Sequence, residues 1–323
     1  MTGFLSDSAL ERLREAADSP DLTDTRYRLV GKLGQGGMGG VYCVEDSELE
    51  RKVALKVISV SDPDGAWTAR LVQEARIIAR LEHPGIVPVH DAGTLPDSRP
   101  YYTMKLVQGK RLDEHVGTVT RLSDRLRLFL RICEAVAFAH AHGVLHRDLK
   151  PANVMIGPFG DVLVMDWGLS KFLGLATDAR IGRIDLDGSA ETQSSLSGHG
   201  EIVGTPGYMS PEQLRGDASL NQRSDIYSLG AILQFLITTG GPIPKPLAAI
   251  RTCAMAKDPE NRYQTVPELA TDIAHFLDGL AVSAYPEGPL VRAWRWILRN
   301  RTWILLLLAY MLTRTLLIFF RPR

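Results

Sequence analysis

Apolar and polar positions divide the chain into stretches with different periods. Residues 1–26 are polar and carry one short helical stripe, Leu5, Leu10 and Leu13, which reads as a leader. From Tyr27 short β-branched runs take over. Tyr27–Val30, Gly40–Val44 and Lys52–Ile58 predict strands. An amphipathic helix follows over 66–81, with Leu71, Ala75, Ile78 and Leu81 on one side. Strands near 87–92 and 101–107 complete a small sheet with one helix. After Gly109 the period becomes helical. Leu126, Phe129, Leu130, Cys133, Val136, Ala137 and His140 predict a helix over 122–142, and apolar periodicity predicts two more over 224–239 and 265–278. Residues 170–203, rich in Gly, Ser, Thr and Asp, read as a long loop, which in a compact domain is usually functional. No internal repeat is visible.

Composition changes this picture in two places. The chain has 323 residues with 37 Lys+Arg against 37 Asp+Glu, so its net charge gives no reason to expect a nucleic-acid partner. Cys43, Cys133 and Cys253 lie far apart without metal spacing and read as reduced thiols. The early acids Asp7 and Glu11, with no apolar run, are unlike a signal peptide. The balance hides an asymmetry: residues 292–323 hold Arg292, Arg295, Arg299, Arg301, Arg314, Arg321 and Arg323 and no acid. Between these arginines runs an apolar stretch which, as a helix, is about 27 Å long. It predicts a transmembrane helix over 302–320, preceded by a basic juxtamembrane segment over 281–301 and followed by a tail of 321–323. Trp294, Trp296 and Trp303 would form the interface belt, and the arginines would keep the preceding domain cytoplasmic. The competing reading is a helix lying on the membrane, because Arg314 interrupts the run.

The candidate chemistry is densest at His146-Arg147-Asp148-Leu149-Lys150-Pro151-Ala152-Asn153, followed by Asp166-Trp167-Gly168. These are the groups a phosphoryl transfer needs. Asp148 can accept a hydroxyl proton, and Lys150 can neutralise charge on the moving phosphate. Asn153 and Asp166 offer the hard oxygens that Mg²⁺ prefers. Upstream, Leu33-Gly34-Gln35-Gly36-Gly37-Met38-Gly39-Gly40-Val41 lies between two strand patterns, so it is not a dinucleotide-binding turn, which needs strand then helix. Alone it reads equally well as a hairpin turn or as a loop whose backbone approaches phosphate. Lys56 sits in an apolar strand, where an ammonium is costly unless paired. Alone it reads either as a strand-edge lysine reaching water or as a phosphate ligand held by Glu74, at the start of the apolar helix face.

In this order the motifs resemble the glycine loop, catalytic loop and metal loop of the eukaryotic-type (Hanks-type) serine/threonine protein kinases of bacteria. The resemblance covers roughly 27–280. It implies an α+β bilobal protein-kinase fold, with a small antiparallel β-sheet N-lobe and one helix over 27–107 and a mainly helical C-lobe over 108–280. It implies ATP with Mg²⁺, or Mn²⁺ in its place, and proteins phosphorylated on Ser or Thr. Asp148 would be the base, and Lys56 would hold the phosphates with Glu74. Asn153 and Asp166 would hold the metal, and Thr205 would bond near Asp148 and Lys150. Leu33, Val41, Ala54 and Met155 would sandwich the purine, with Met104 as gatekeeper and Lys105-Leu106-Val107 as the hinge that bonds adenine. Glu212 would pair with Arg262, and Asp225 would anchor the catalytic-loop backbone. Arg147 implies control by phosphorylation at Thr192, Ser194, Ser195 or Ser197, with a homodimer as the route to autophosphorylation in trans. The chain departs from the pattern in three ways: Trp167 for the usual Phe, Ser210 for the usual Ala, and only Gly240-Gly-Pro-Ile-Pro-Lys-Pro before Leu247, where a docking helix is usual. The alternative reading is a nucleotide-binding pseudokinase scaffold at the membrane.

Overall fold

The structure, a computed structural model, describes residues 19–36, 39–58, 75–76, 78–167, 207–217, 220–238, 241–286, 288 and 300–319. Five antiparallel strands form the first layer: β1 (Tyr27–Gly36), β2 (Gly39–Asp46), β3 (Arg51–Ile58), β4 (Val89–Thr94) and β5 (Pro100–Lys105). They lie in the order β1-β2-β3-β5-β4. Alternation along β3 sorts its two faces. Val53, Leu55 and Val57 are buried with Tyr27, Tyr42, Val44, Leu95 and Tyr101 in one apolar cluster. Ala54 and Lys56, between them in sequence, therefore turn to the opposite face, as period two requires. On that side Ala75 packs with Tyr102, Val89 and Met104. Of the helix expected over 66–81, residues 75, 76 and 78–81 are described; Ala75, Arg76, Ile78 and Ala79 are helical, and the helix ends in a turn at Arg80.

The second layer is helical. Its elements are α1 (Leu112–His115), α2 (Leu122–Ala141), α3 (Pro211–Leu214), α4 (Gln222–Thr238), α5 (Lys245–Ala254) and α6 (Val266–Leu277). Leu126, Phe129, Ile132, Cys133, Val136 and Ala139 of α2 recur at spacings of three and four and are fully buried. Against them pack Ile226, Leu229, Leu233 and Leu236 of α4, Leu247 and Ile250 of α5, and Leu269 and Ile273 of α6, all in one core. A three-stranded sheet, β6 (Lys110–Arg111), β7 (Val154–Ile156) and β8 (Val162–Val164), lies where the two layers meet. Ile86 bridges to Val164 in parallel, and Val164 donates its N–H to the Gly85 carbonyl at 2.8 Å. The backbone therefore joins the segment before β4 directly to β8.

Three results differ from the sequence reading. The strands β6 to β8 are too short for periodicity to show. Helix α5, where the sequence reading placed no element, begins within the Pro-rich stretch 240–246: Pro246 falls in its first turn, where the missing N–H costs nothing. The third concerns the tail. The last helix, α7 (Arg301–Phe319), forms where the apolar run predicts one, and Trp303, Leu305–Leu308, Tyr310, Met311 and Leu312 on it are exposed. Among the described residues, however, no helix is long and apolar enough to cross a membrane, and the transmembrane span expected over 302–320 is not shown. The uninterrupted apolar run ends at Leu312, before Thr313, Arg314 and Thr315. From Trp303 it supplies about 15 Å of helix, against about 30 Å of hydrocarbon.

Candidate functional site: a cleft between the sheet and the helical layer

The site is organised by one buried carboxylate. Asp225, in the first turn of α4, is 1 % exposed. Its Oδ2 accepts the backbone N–H of His146 at 2.8 Å, and its Oδ1 accepts that of Arg147 at 2.7 Å. His140 of α2 bonds Oδ2 through Nε2 at 2.7 Å. Burial alone would raise the Asp225 carboxyl pKa, but the bond from His140 and the other donors outweigh it and hold it below the usual carboxylate range. Arg147 takes a left-handed backbone, φ 70°, a conformation that costs about 1–3 kcal/mol for a residue other than glycine. The bond to Asp225 offsets that strain and fixes the direction in which Asp148 leaves the chain.

His146 is fully buried, and burial pushes its pKa down. Its Nδ1 accepts the Asp148 N–H at 3.3 Å, so Nε2 carries the proton and donates it to the Met165 carbonyl at 2.8 Å. A neutral imidazole thus ties the catalytic loop to the metal loop, a bracing role and not a titrating one. Lys150 Nζ donates to Asp148 Oδ2 at 2.8 Å, and Asn153 Nδ2 donates to the same oxygen at 3.0 Å and to the Asp148 carbonyl at 2.8 Å. With its amide nitrogen bonded to Asp148, Asn153 leaves its amide oxygen out of that contact.

From the sheet, Lys56 reaches across the cleft, and its Nζ lies 2.7 Å from Asp166 Oδ1. Burial pushes the Asp166 carboxyl up, but the Lys56 ammonium outweighs it and holds the group ionised below its ordinary range. Asp166 too has a left-handed backbone, φ 57°. Among the described residues no group of three His, Cys, Asp or Glu side chains could hold a metal. One carboxylate and one amide oxygen are instead the sparse protein donor set that suits Mg²⁺, which takes its other ligands from phosphates and water.

The remaining candidates surround this cluster unequally. Gly34 pairs with Val41, Gln35 with Gly40 and Gly36 with Gly39, so the glycine-rich ends of β1 and β2 lie side by side, with Leu33 exposed. A Cβ on Gly34 would meet nothing within 4 Å, leaving its backbone open to a ligand, whereas one on Gly40 would lie 2.6 Å from the Tyr42 ring. Packing therefore accounts for Gly40 without a ligand. Val41 pairs with Lys56, Ala54 with Met104, and Met155 lies in β7. The Lys105 N–H donates to the Pro88 carbonyl at 3.1 Å, which leaves hinge donation to residues after it, of which Val107 is half-buried. Glu74, Gly37, Met38 and Thr205, together with Thr192, Ser194, Ser195 and Ser197, lie outside the described residues.

Two contacts were not read from the sequence. Gln213 Nε2 donates to the Arg147 carbonyl at 2.7 Å and so ties α3 to the catalytic loop. Ser210 and Gln213 also form a capping box at the start of α3, which gives a structural use for the serine that departs from the family pattern. The Ser-x-x-Gln spacing was the available signal. The other is the His140 bond to Asp225. Next to the capping box, Glu212 accepts two bonds from Arg262, 2.6 Å to Oε1 and 2.8 Å to Oε2, and one from Ser224 at 2.9 Å.

The protein kinase domain family model matches residues 27–284 of this chain. The chain belongs to the protein kinase family. It is 33 % identical over 300 residues to the serine/threonine-protein kinase PknD of Protochlamydia amoebophila strain UWE25, covering 78 % of this chain and 30 % of that protein. It is 35 % identical over 295 residues to PknD of Chlamydia felis strain Fe/C-56, covering 79 % and 31 %. The chain thus spans about a third of the length of these curated relatives. The crystal structure of the Mycobacterium tuberculosis PknI kinase domain superposes with a TM-score of 0.58 at 25 % identity, covering 80 % of this chain and 98 % of that domain. The family fold, an antiparallel N-lobe sheet on a helical C-lobe, is the one described above.

The Glu212–Arg262 pair supplies a pH prediction. Burial raises the Glu212 pKa, but the bonds from Arg262 and Ser224 outweigh it and bring the carboxyl from 4.5 down to about 2. A depressed folded-state pKa contributes stability that is complete above the unfolded value and is lost as pH falls through the folded one. The pair should therefore contribute about 3 kcal/mol above pH 4.5 that disappears toward pH 2. Urea unfolding of wild type and Glu212→Gln across that window should show the variant less stable at pH 6, with the gap closing in acid. Parallel pH curves would refute this.

Proposed function

We propose that the chain is a serine/threonine protein kinase, moving the γ-phosphoryl group of ATP to Ser or Thr hydroxyls of proteins. One observation carries the reading. Asp148, Lys150 and Asn153 form a single hydrogen-bonded unit, and the Lys56–Asp166 ion pair completes the set of phosphate-handling groups along the same cleft. Bound Mg²⁺, or Mn²⁺ in its place, would neutralise charge on the phosphates and be held by Asn153 and Asp166. In the transfer the hydroxyl oxygen forms its bond to the γ-phosphorus, the bond from that phosphorus to the ADP oxygen breaks, and the hydroxyl proton passes to Asp148. Lys150, already bonded to the Asp148 carboxylate, stands where charge on the moving group develops. Lys56 would position the α- and β-phosphates, with Glu74 as its further partner.

The relatives support Ser/Thr over other acceptors, since PknD bears that activity in its name. Helix α4 ends at Thr238 and α5 begins at Lys245, a gap too short for a docking helix. Protein substrates would then be chosen close to the cleft. Autophosphorylation in trans between two copies is part of the proposal. So is attachment to the inner face of the cell membrane through the apolar side chains of α7, without a span: a helix exposing Trp303, Leu305–Leu308 and Leu312 needs an apolar cover.

Purified full-length chain should incorporate phosphate from Mg·ATP into itself or a generic protein substrate, and Asp148→Asn should lower the rate about 10²–10⁴-fold while nucleotide binding persists. Equal incorporation by both proteins would end the catalytic reading. Nucleotide uptake without transfer by wild type would favour the scaffold. Flotation with anionic lipid vesicles that is lost on deleting 301–319 supports attachment, and undiminished flotation refutes it.

A further inference from the structure

We propose that Trp167 is a positioning residue whose indole N–H locks the turn that presents Asp166 to the metal. The proposal rests on the phosphotransfer reading above and adds a function for the residue that departs from the family pattern. Trp167 is 1 % exposed and heads the largest fully buried side chains. Its Nε1–H donates to the Val164 carbonyl at 3.0 Å, three residues back, so the side chain closes a ring around Met165 and Asp166. Its face lies against His146, with ring centroids 4.8 Å apart and planes at 51°.

Every neighbour in this ring is itself tied down. Val164 is fixed by its N–H to Gly85, and Met165 by its N–H to the Asn153 carbonyl at 2.9 Å and by its carbonyl to His146. Asp166 sits between them at φ 57°, a conformation disfavoured for a residue with a Cβ. A phenyl ring could fill the apolar slot and stack on His146, but it has no donor for Val164. The indole adds a directional bond that any rotation of the turn must break, leaving a buried N–H without a partner. This bond holds Asp166 in the arrangement that meets Lys56. Losing it would lower the fraction of molecules in the metal-competent arrangement, and the apparent affinity for metal would fall by that fraction.

The test replaces Trp167 in the full chain with benzothienylalanine, which keeps the bicyclic shape and exchanges the N–H for sulfur. Trp167→Phe is made in parallel. Calorimetry then measures Mn²⁺·ADP binding and ADP binding in EDTA, and hydrogen–deuterium exchange is followed at 162–167 with α4 as the reference. The isostere should bind Mn²⁺·ADP about five- to tenfold more weakly, the equivalent of one buried hydrogen bond. Metal-free ADP binding should be unchanged, and faster exchange should be confined to 165–167. Trp167→Phe should reproduce these shifts. Wild-type metal affinity in the isostere overturns the proposal, as does equal weakening with and without metal or faster exchange throughout the C-lobe, which would mark Trp167 as core filling only. If wild type itself binds ADP no better with Mn²⁺, the phosphotransfer reading fails. Exchange at 165–167 then decides the lock on its own: unchanged exchange in the isostere removes it.

Discussion

The geometry of the cleft depends on the carboxylate of Asp225. It is buried beneath the catalytic loop and accepts two consecutive backbone N–H groups as well as His140. A buried carboxylate is costly unless fully bonded, and here the donors that satisfy it are the very groups whose position matters. Arg147 is held in a left-handed conformation, and Asp148 emerges immediately after it. The strain and the anchor lie within one residue of the group read as the base. Because most of α4, Asp225 included, is buried in the C-lobe core, the anchor is held as the core is.

From that fixed point order spreads along a short chain of contacts. His146 passes it to Met165, and Trp167 and Val164 clamp the far side of Asp166. Asp166 meets Lys56, the one link described here in which a side chain of the five-stranded sheet bonds the metal loop. The Ile86–Val164 bridge joins the segment before β4 to β8. On the outer side Gln213 holds the Arg147 carbonyl, so both ends of the strained peptide are bonded. The buried Glu212–Arg262 pair then fixes α3, from which Gln213 projects. Two left-handed residues, Arg147 and Asp166, therefore persist because their surroundings over-determine them.

Much of this was legible in the sequence because the chemistry is local. Asp148, Lys150 and Asn153 lie within six residues of one another, and a loop of that length brings them together with little help. Alternation along 52–58 was enough to turn Lys56 away from the sheet's apolar cluster. Asp225 and Arg262 were named only through family resemblance, since nothing in their own neighbourhoods points across the fold. The Ser210–Gln213 spacing points to a helix cap, but nothing local points to the Arg147 carbonyl, 66 residues away, that Gln213 also holds. His140 reads in sequence only as a position on the 122–142 helix, whereas its partner is 85 residues away. Strands of two or three residues carry no period, which hid β6 to β8. At the tail, Thr313, Arg314 and Thr315 interrupt the apolar residues whose sum suggests a span.

The central claim is that Lys56, Asp148, Asn153 and Asp166 form one site for a metal–nucleotide complex. A crystal grown with Mn²⁺ and a non-hydrolysable ATP analogue tests it most directly, through the anomalous scattering of manganese. The account predicts an anomalous peak within coordination distance of Asp166 and the Asn153 amide oxygen, with the terminal phosphate between Lys150 and the glycine hairpin. Nucleotide bound elsewhere, or manganese held by side chains outside this cleft, would contradict it.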